Sequence, residues 1–138
     1  MVESTQRAFN RARIVRDRPR RILIVDDNDV VRHAIRSFLE RWAFVCIEAA
    51  DGAEAIKKAR ELKFDLIVMD LVMPGINGIE ATSVIRSTMP NLPIIAFTMY
   101  ESLAKSMTSK LAINTVVSKP DGLTKLVEGI QSVLGPGS

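Results

Sequence analysis

The chain has 138 residues, 47% of them hydrophobic and 25% charged, with one cysteine and a net charge of +3. That balance suits a single globular domain with a sizeable core. It excludes a bilayer-spanning helix, which needs about 18 consecutive apolar residues, and an internal disulfide. The basic N-terminus has no continuous apolar stretch of the secretory kind, so a cytoplasmic location is expected.

Residues 1–20 read as a basic, disordered arm. The first 21 residues hold Arg7, Arg11, Arg13, Arg16, Arg18, Arg20 and Arg21 against Glu3 and Asp17, a local charge of +5 that leaves −2 for the rest. Such an arm suits nucleic acid, anionic lipid or an acidic partner, and a solvated leader is the plainer reading. It has no aromatic interleaving beyond Phe9 and no DNA-binding module follows it, so direct nucleic-acid binding is not expected.

From Arg21 to Leu134 short apolar runs alternate with helical patterns. Arg21-Ile-Leu-Ile-Val-Asp26 reads as a buried strand ending in acids. Asn28 or Asp29 caps a helix to about Arg41, with Val31, Ile35, Phe38 and Leu39 on one face. Phe44 to Glu48 is a second strand, in which Cys46 reads as a packed thiol. Asp51-Gly52 turns into a helix over Ala53 to Leu62. Phe64 to Asp70 is a third strand ending in an acid, and Pro74, Gly75 and Gly78 delay the next helix, which runs to about Thr88. Pro93 to Thr98 is strand four. A weaker helix over Ser102 to Lys110 precedes strand five, Asn114 to Ser118. Pro120 and Gly122 break the chain before a helix over Leu123 to Leu134, and residues 135–138 form a loose tail.

Strands that each lead into a helix imply a doubly wound parallel sheet with helices on both faces. Ligands of such sheets sit beyond the carboxyl ends of the strands, where the strand order reverses. Asp26 and Asp27 end strand one, Asp70 ends strand three, Thr98 ends strand four and Lys119 follows strand five, so all five share one edge. Taken singly, each has a plain reading as a cap, a β-former or a surface charge; their coincidence on one edge points to a site. Close carboxylate pairs repel by roughly 4 kcal/mol at an effective dielectric of about 20, a cost that a hard divalent cation such as Mg²⁺ removes. Asp70 is then a competent nucleophile toward phosphorus, with Lys119 and Thr98 placed to meet charge on the phosphoryl oxygens.

The segments Ile22-Leu-Ile-Val-Asp-Asp27, Ala50-Asp-Gly-Ala-Glu-Ala55, Phe64-Asp-Leu-Ile-Val-Met-Asp-Leu-Val-Met-Pro74 with Gly75 and Gly78, and Ser118-Lys-Pro120 resemble the response-regulator receiver family over about residues 20–134. The resemblance implies a flavodoxin-like strand order 2-1-3-4-5. It implies a histidine kinase or histidine phosphotransfer protein as phosphoryl donor to Asp70, and a conformational signal rather than turnover of a substrate. It also implies Mg²⁺ bound by Asp27 and Asp70, by Asp26 partly through water, and by the backbone carbonyl of Val72, with Thr98 and Lys119 on the phosphoryl group.

Three departures from the family pattern stand out. Val116 occupies the place of a common Tyr or Phe, Ala112-Ile113-Asn114-Thr115 replaces a common Gly-Ala-x-Gly, and Met99 stands where a small residue is usual and is expected to crowd the site. Val72 and Tyr100 flank the expected path of a hydrolytic water without offering a base, so slow self-dephosphorylation is expected. Two alternatives are weaker. A phosphate-independent pseudo-receiver normally loses part of the acid–aspartate–lysine set, and a haloacid-dehalogenase-like phosphatase needs an Asp at position 72. The sole histidine, His33, falls on a helix and reads as a surface or half-buried residue. A stand-alone receiver is expected, with its downstream partner unknown and its oligomeric state, a homodimer included, left open.

Overall fold

The computed structural model describes residues 18–75 and 77–135. Strands β1 (Arg21–Val25), β2 (Val45–Ala49), β3 (Leu66–Met69), β4 (Ile94–Thr98) and β5 (Thr115–Ser118) alternate with helices α1 (Asp29–Glu40), α2 (Gly52–Glu61), α3 (Gly78–Thr88), α4 (Glu101–Leu111) and α5 (Gly122–Leu134). Every strand pair is parallel and the order is β2-β1-β3-β4-β5, the flavodoxin-like order expected. The chain leaves β1 toward β2 and returns to β3 on the other side of β1, which puts the reversal of strand order at the carboxyl ends of β1 and β3. Within the expected arm and tail, residues 1–17 and 136–138 lie outside the described residues.

The strands are apolar on both faces because helices cover both. Ile22 and Ile24 of β1, Leu66 and Val68 of β3, and Ile95 and Phe97 of β4 pack against Ile35 and Leu39 of α1 and Leu126, Val127 and Ile130 of α5. The alternate residues Leu23, Val25, Ile67, Met69, Ile94 and Ala96 pack against Ala55 and Ala59 of α2, Ala81 and Ile85 of α3, and Ala104 and Leu111 of α4. Burying each large side chain stabilises the fold by about 1.5–3 kcal/mol before the entropy cost. Cys46 is part of the first of these layers, and burial pushes its thiol up to about 12, which suppresses the reactive thiolate.

Helices α1, α2 and α3 each start on a side-chain cap. Asn28 accepts from the Val31 N–H at the start of α1. Asp51 accepts from Glu54 N–H while Glu54 accepts from Ala50 N–H at α2. Asn77 accepts from Glu80 N–H at α3. Each cap satisfies an orphan donor and fixes where its loop ends. Helix α4 has no side-chain cap at its N-terminus and ends on Ala112 in the left-handed region, φ 53°.

Beyond one-residue shifts at the element ends, three features differ from the sequence reading. β3 starts at Leu66 rather than Phe64 because the Asp65 carboxylate is taken up by its surroundings: it accepts the Arg21 N–H at 2.7 Å and a fork of two bonds from Arg18 at 2.8 and 2.9 Å. The buried stripe of α1 is Arg32, Ile35 and Leu39, with Val31 and Phe38 only partly buried. A 3₁₀ turn, Lys119–Asp121, intervenes between β5 and α5.

Candidate functional site

Asp26 and Asp27 follow β1 and Asp70 follows β3, so the pairing of these two central strands sets the acids side by side. One carboxylate oxygen from each lies within 4.8 Å of the others; Asp26 and Asp70 are buried and Asp27 is exposed. Lys119, at the first position of the 3₁₀ turn after β5, reaches into this group. Its Nζ is 2.7 Å from Asp26 Oδ2 and 3.2 Å from Asp70 Oδ2. The third element is backbone: the Asn28 N–H donates to Asp26 Oδ1 at 2.8 Å, and the Val72 N–H to Asp70 Oδ1 at 3.4 Å.

The electrostatics are unbalanced. Burial raises the Asp70 carboxyl above the usual carboxylate range; Lys119 pulls it down and the neighbouring Asp26 pushes it up again. Burial works against the charge on Lys119, but its bonds to Asp26 and its closeness to Asp70 outweigh that and raise its pKa, so it stays an ammonium. One cation therefore faces three carboxylates. The all-oxygen, multiply anionic donor set fits a hard divalent cation such as Mg²⁺ and offers nothing to a soft metal.

Gly78 opens α3 directly against the site. A β-carbon there would overlap the Asp70 carbonyl oxygen, so only glycine lets the helix start so close to the end of β3. Thr98, the last residue of β4, is fully buried, and its Oγ1 accepts the Tyr100 N–H at 3.0 Å. That bond uses a lone pair and leaves the hydroxyl proton free to donate. Thr98 makes no hydrogen bond with the three acids or Lys119 among the described residues, so the structure joins Asp26, Asp27, Asp70 and Lys119 directly and brings Thr98 only to the same edge.

Met99, expected to crowd the site, is 61% exposed. It lines an apolar groove with Val30, Ala34, Phe97 and Leu123, beside Lys119. Val72 and Tyr100 are exposed. Val116 is half-buried and packs on the layer formed by α2, α3 and α4. His33 lies on the exposed side of α1 with Nε2 3.2 Å from Glu48 Oε1.

Sequence reasoning missed Arg32. Its guanidinium is buried beside the acids and donates to the Asp26 carbonyl oxygen at 2.8 Å, to Asp29 at 2.6 Å and to Glu48 at 2.7 Å. The available signal was an arginine three residues before Ile35 and seven before Leu39, hence on the apolar stripe of a helix, where a charge must find partners.

Residues 22–131 match the model of a family described as the response regulator receiver domain. The chain is 40% identical over 84 residues to the response regulator protein VraR of Staphylococcus saprophyticus, covering 59% of this chain and 40% of that protein. The chain thus spans less than half the length of that relative. Among solved structures, a LuxR-family two-component response regulator from Aurantimonas sp. is 36% identical with a TM-score of 0.79, over 85% of this chain and 86% of that one. The response regulator TrrA of Thermotoga maritima, in complex with Mg(2+)-BeF, is 30% identical with a TM-score of 0.77, over 83% and 98%. Among the described residues no helix is long and apolar enough to cross a membrane.

Proposed function

The chain belongs to the response-regulator receiver family, and from that premise we propose that Asp70 is its phosphoacceptor. The observation that carries the reading is the junction of Asp26, Asp27 and Asp70 within 4.8 Å, with the Lys119 ammonium set against two of them. An Asp70 carboxylate oxygen attacks phosphorus and forms an acyl phosphate. The P–N bond of a phosphohistidine donor breaks, and the imidazole nitrogen leaves with the electron pair. The donor is a histidine kinase or a histidine phosphotransfer protein.

Asp27, Asp70 and the backbone carbonyl of Val72, with Asp26 partly through water, would hold Mg²⁺, which would neutralise carboxylate and phosphoryl oxygens. Lys119 lies close enough to Asp70 to follow a phosphoryl oxygen once one is attached there, and Thr98 donates its free hydroxyl proton to another. Because Thr98 Oγ1 also accepts the Tyr100 N–H, its displacement toward the phosphoryl group is felt at the uncapped start of α4. The product is a signalling state and not a released compound. Phosphorylation by acetyl phosphate, followed by intact mass, tests the reading. Labelling is expected in the parent with Mg²⁺, and neither with chelator nor in Asp70→Asn. Equal labelling of Asp70→Asn, or none in the parent, overturns it.

A further inference from the structure

Of the three acids, Asp27 is the one whose carboxylate has no hydrogen-bond or ion-pair partner among the described residues. Asp26 is gripped at Oδ1 by the Asn28 N–H and at Oδ2 by Lys119, and Asp70 by Lys119 and the Val72 N–H. Asp27 is exposed, and among the described residues no hydrogen bond or ion pair fixes its side chain. Its place depends on the peptide that precedes it. The carbonyl of that peptide is the Asp26 oxygen that Arg32 Nη1 holds at 2.8 Å.

Arg32 is itself locked. Its Nε donates to Glu48 on β2 and its Nη2 to Asp29 on α1, and its side chain is only 9% exposed. Glu48 is held in turn by Arg36 at 3.2 Å. A planar guanidinium with three acceptors in three directions fixes orientation in a way a point charge does not. We infer that Arg32 is a positioning residue for cation binding: anchored on β2 through Glu48, it sets the Asp26–Asp27 peptide so that the free Asp27 carboxylate faces Asp26 and Asp70. The inference rests on the phosphoacceptor reading in taking the acids as the Mg²⁺ site.

Charge alone makes the opposite prediction. Arg32 is a cation near a cation site, so removing its charge should tighten Mg²⁺ binding, whereas losing the clamp should weaken it. Arg32→Lys keeps the charge and cannot span Asp26, Asp29 and Glu48 together, so any weakening it causes is positional. The experiment titrates MgCl₂ alone into the full chain by calorimetry, with the fold of each variant verified by circular dichroism. Outer-shell partners of metal ligands commonly change affinity by about tenfold or more, so a Kd weaker by about threefold or more is expected for Arg32→Lys. Should Arg32→Lys not fold, Arg32→Gln takes its place, with the same weakening expected against the electrostatic trend. Unchanged or tighter binding in a folded variant overturns the inference while leaving the phosphoacceptor reading intact. If the parent itself binds no Mg²⁺, that reading falls and this one with it.

Discussion

The two edges of the sheet use the same kinds of charged side chain and balance them differently. At the amino edge, Asp65 accepts two bonds from Arg18 and one from the Arg21 N–H. Arg86 of α3 donates to the carbonyl oxygens of Leu92, Ala112, Leu111 and Met89 at distances of 2.5 to 3.1 Å, tying the α3–β4 loop to the end of α4. There the Asp65 carboxylate and the Arg86 guanidinium are both met by groups of the chain itself. At the carboxyl edge three carboxylates lie together and one lysine pairs with two of them, which leaves a deficit of positive charge. A site proposed to take a cation and a phosphoryl group cannot also be saturated by its own side chains; charge is met more fully at the other end of the same strands.

The amino edge breaks hardest at Arg86. Arg86→Leu leaves several inward carbonyl oxygens without a donor and is expected to lower stability by about 3 kcal/mol, read from urea unfolding. The folded fraction should still be labelled at Asp70, because among the described residues the hydrogen bonds of Arg86 all go to the amino edge. A loss within experimental error would mean that water replaces the guanidinium, and the contrast between the edges would fail.

The carboxyl edge should answer with the opposite sign. In Mg²⁺-free buffer, Asp70→Asn removes a buried carboxylate that its surroundings disfavour and is expected to raise stability by about 1 kcal/mol. Saturating Mg²⁺ stabilises the parent by mass action and should shrink that gain. A destabilised Asp70→Asn would show that the bond to Lys119 outweighs burial and repulsion.

Of this contrast, the carboxyl edge was legible in the sequence. Strand ends announce themselves through apolar runs that stop at Asp26, Asp70 and Thr98, and the doubly wound rule collects them on one edge without coordinates. What stayed hidden depends on approach across the fold. Arg32 meets Glu48 only because α1 lies over β2. Arg86 reaches carbonyls from 25 or 26 positions away, and a backbone oxygen carries no residue signature. The Thr98–Tyr100 bond was equally invisible, since a threonine at a strand end looks like any β-former.

At the mouth of the carboxyl edge the exposed side chains of Val72 and Tyr100 offer no base to a water molecule. Phosphorylated parent protein is expected to last well beyond seconds, and exchanging Val72 for Asn and Tyr100 for Glu together should shorten its lifetime several-fold. Decay of the phosphoprotein, followed by intact mass, measures both. A parent half-life of seconds, or an unchanged lifetime in the double variant, would show that these positions do not control water.

The smallest effect belongs to Asp65, and its value is in its pH dependence. Burial alone would raise this carboxyl, but the Arg18 fork, the Arg21 N–H and the charges of Arg18 and Arg20 outweigh it and hold the pKa below the usual carboxylate range. A carboxyl depressed in the folded state stabilises the protein above its unfolded pKa, and that contribution is lost as pH falls through the folded value. Asp65→Asn should therefore be slightly less stable than the parent at neutral pH, and the difference should close as the pH drops below the carboxylate range. Glu48, also depressed, since its bonds from Arg32 and Arg36 outweigh burial, remains in both proteins, so each retains some acid sensitivity and only the difference reports on Asp65. Added salt should shrink the same difference, because Arg18 is largely exposed and its pairing is screened. Parallel urea midpoints for the two proteins across the whole pH range would mean that Asp65 acts through shape alone, and the amino edge would then owe its stability to hydrogen-bond geometry rather than to balanced charge.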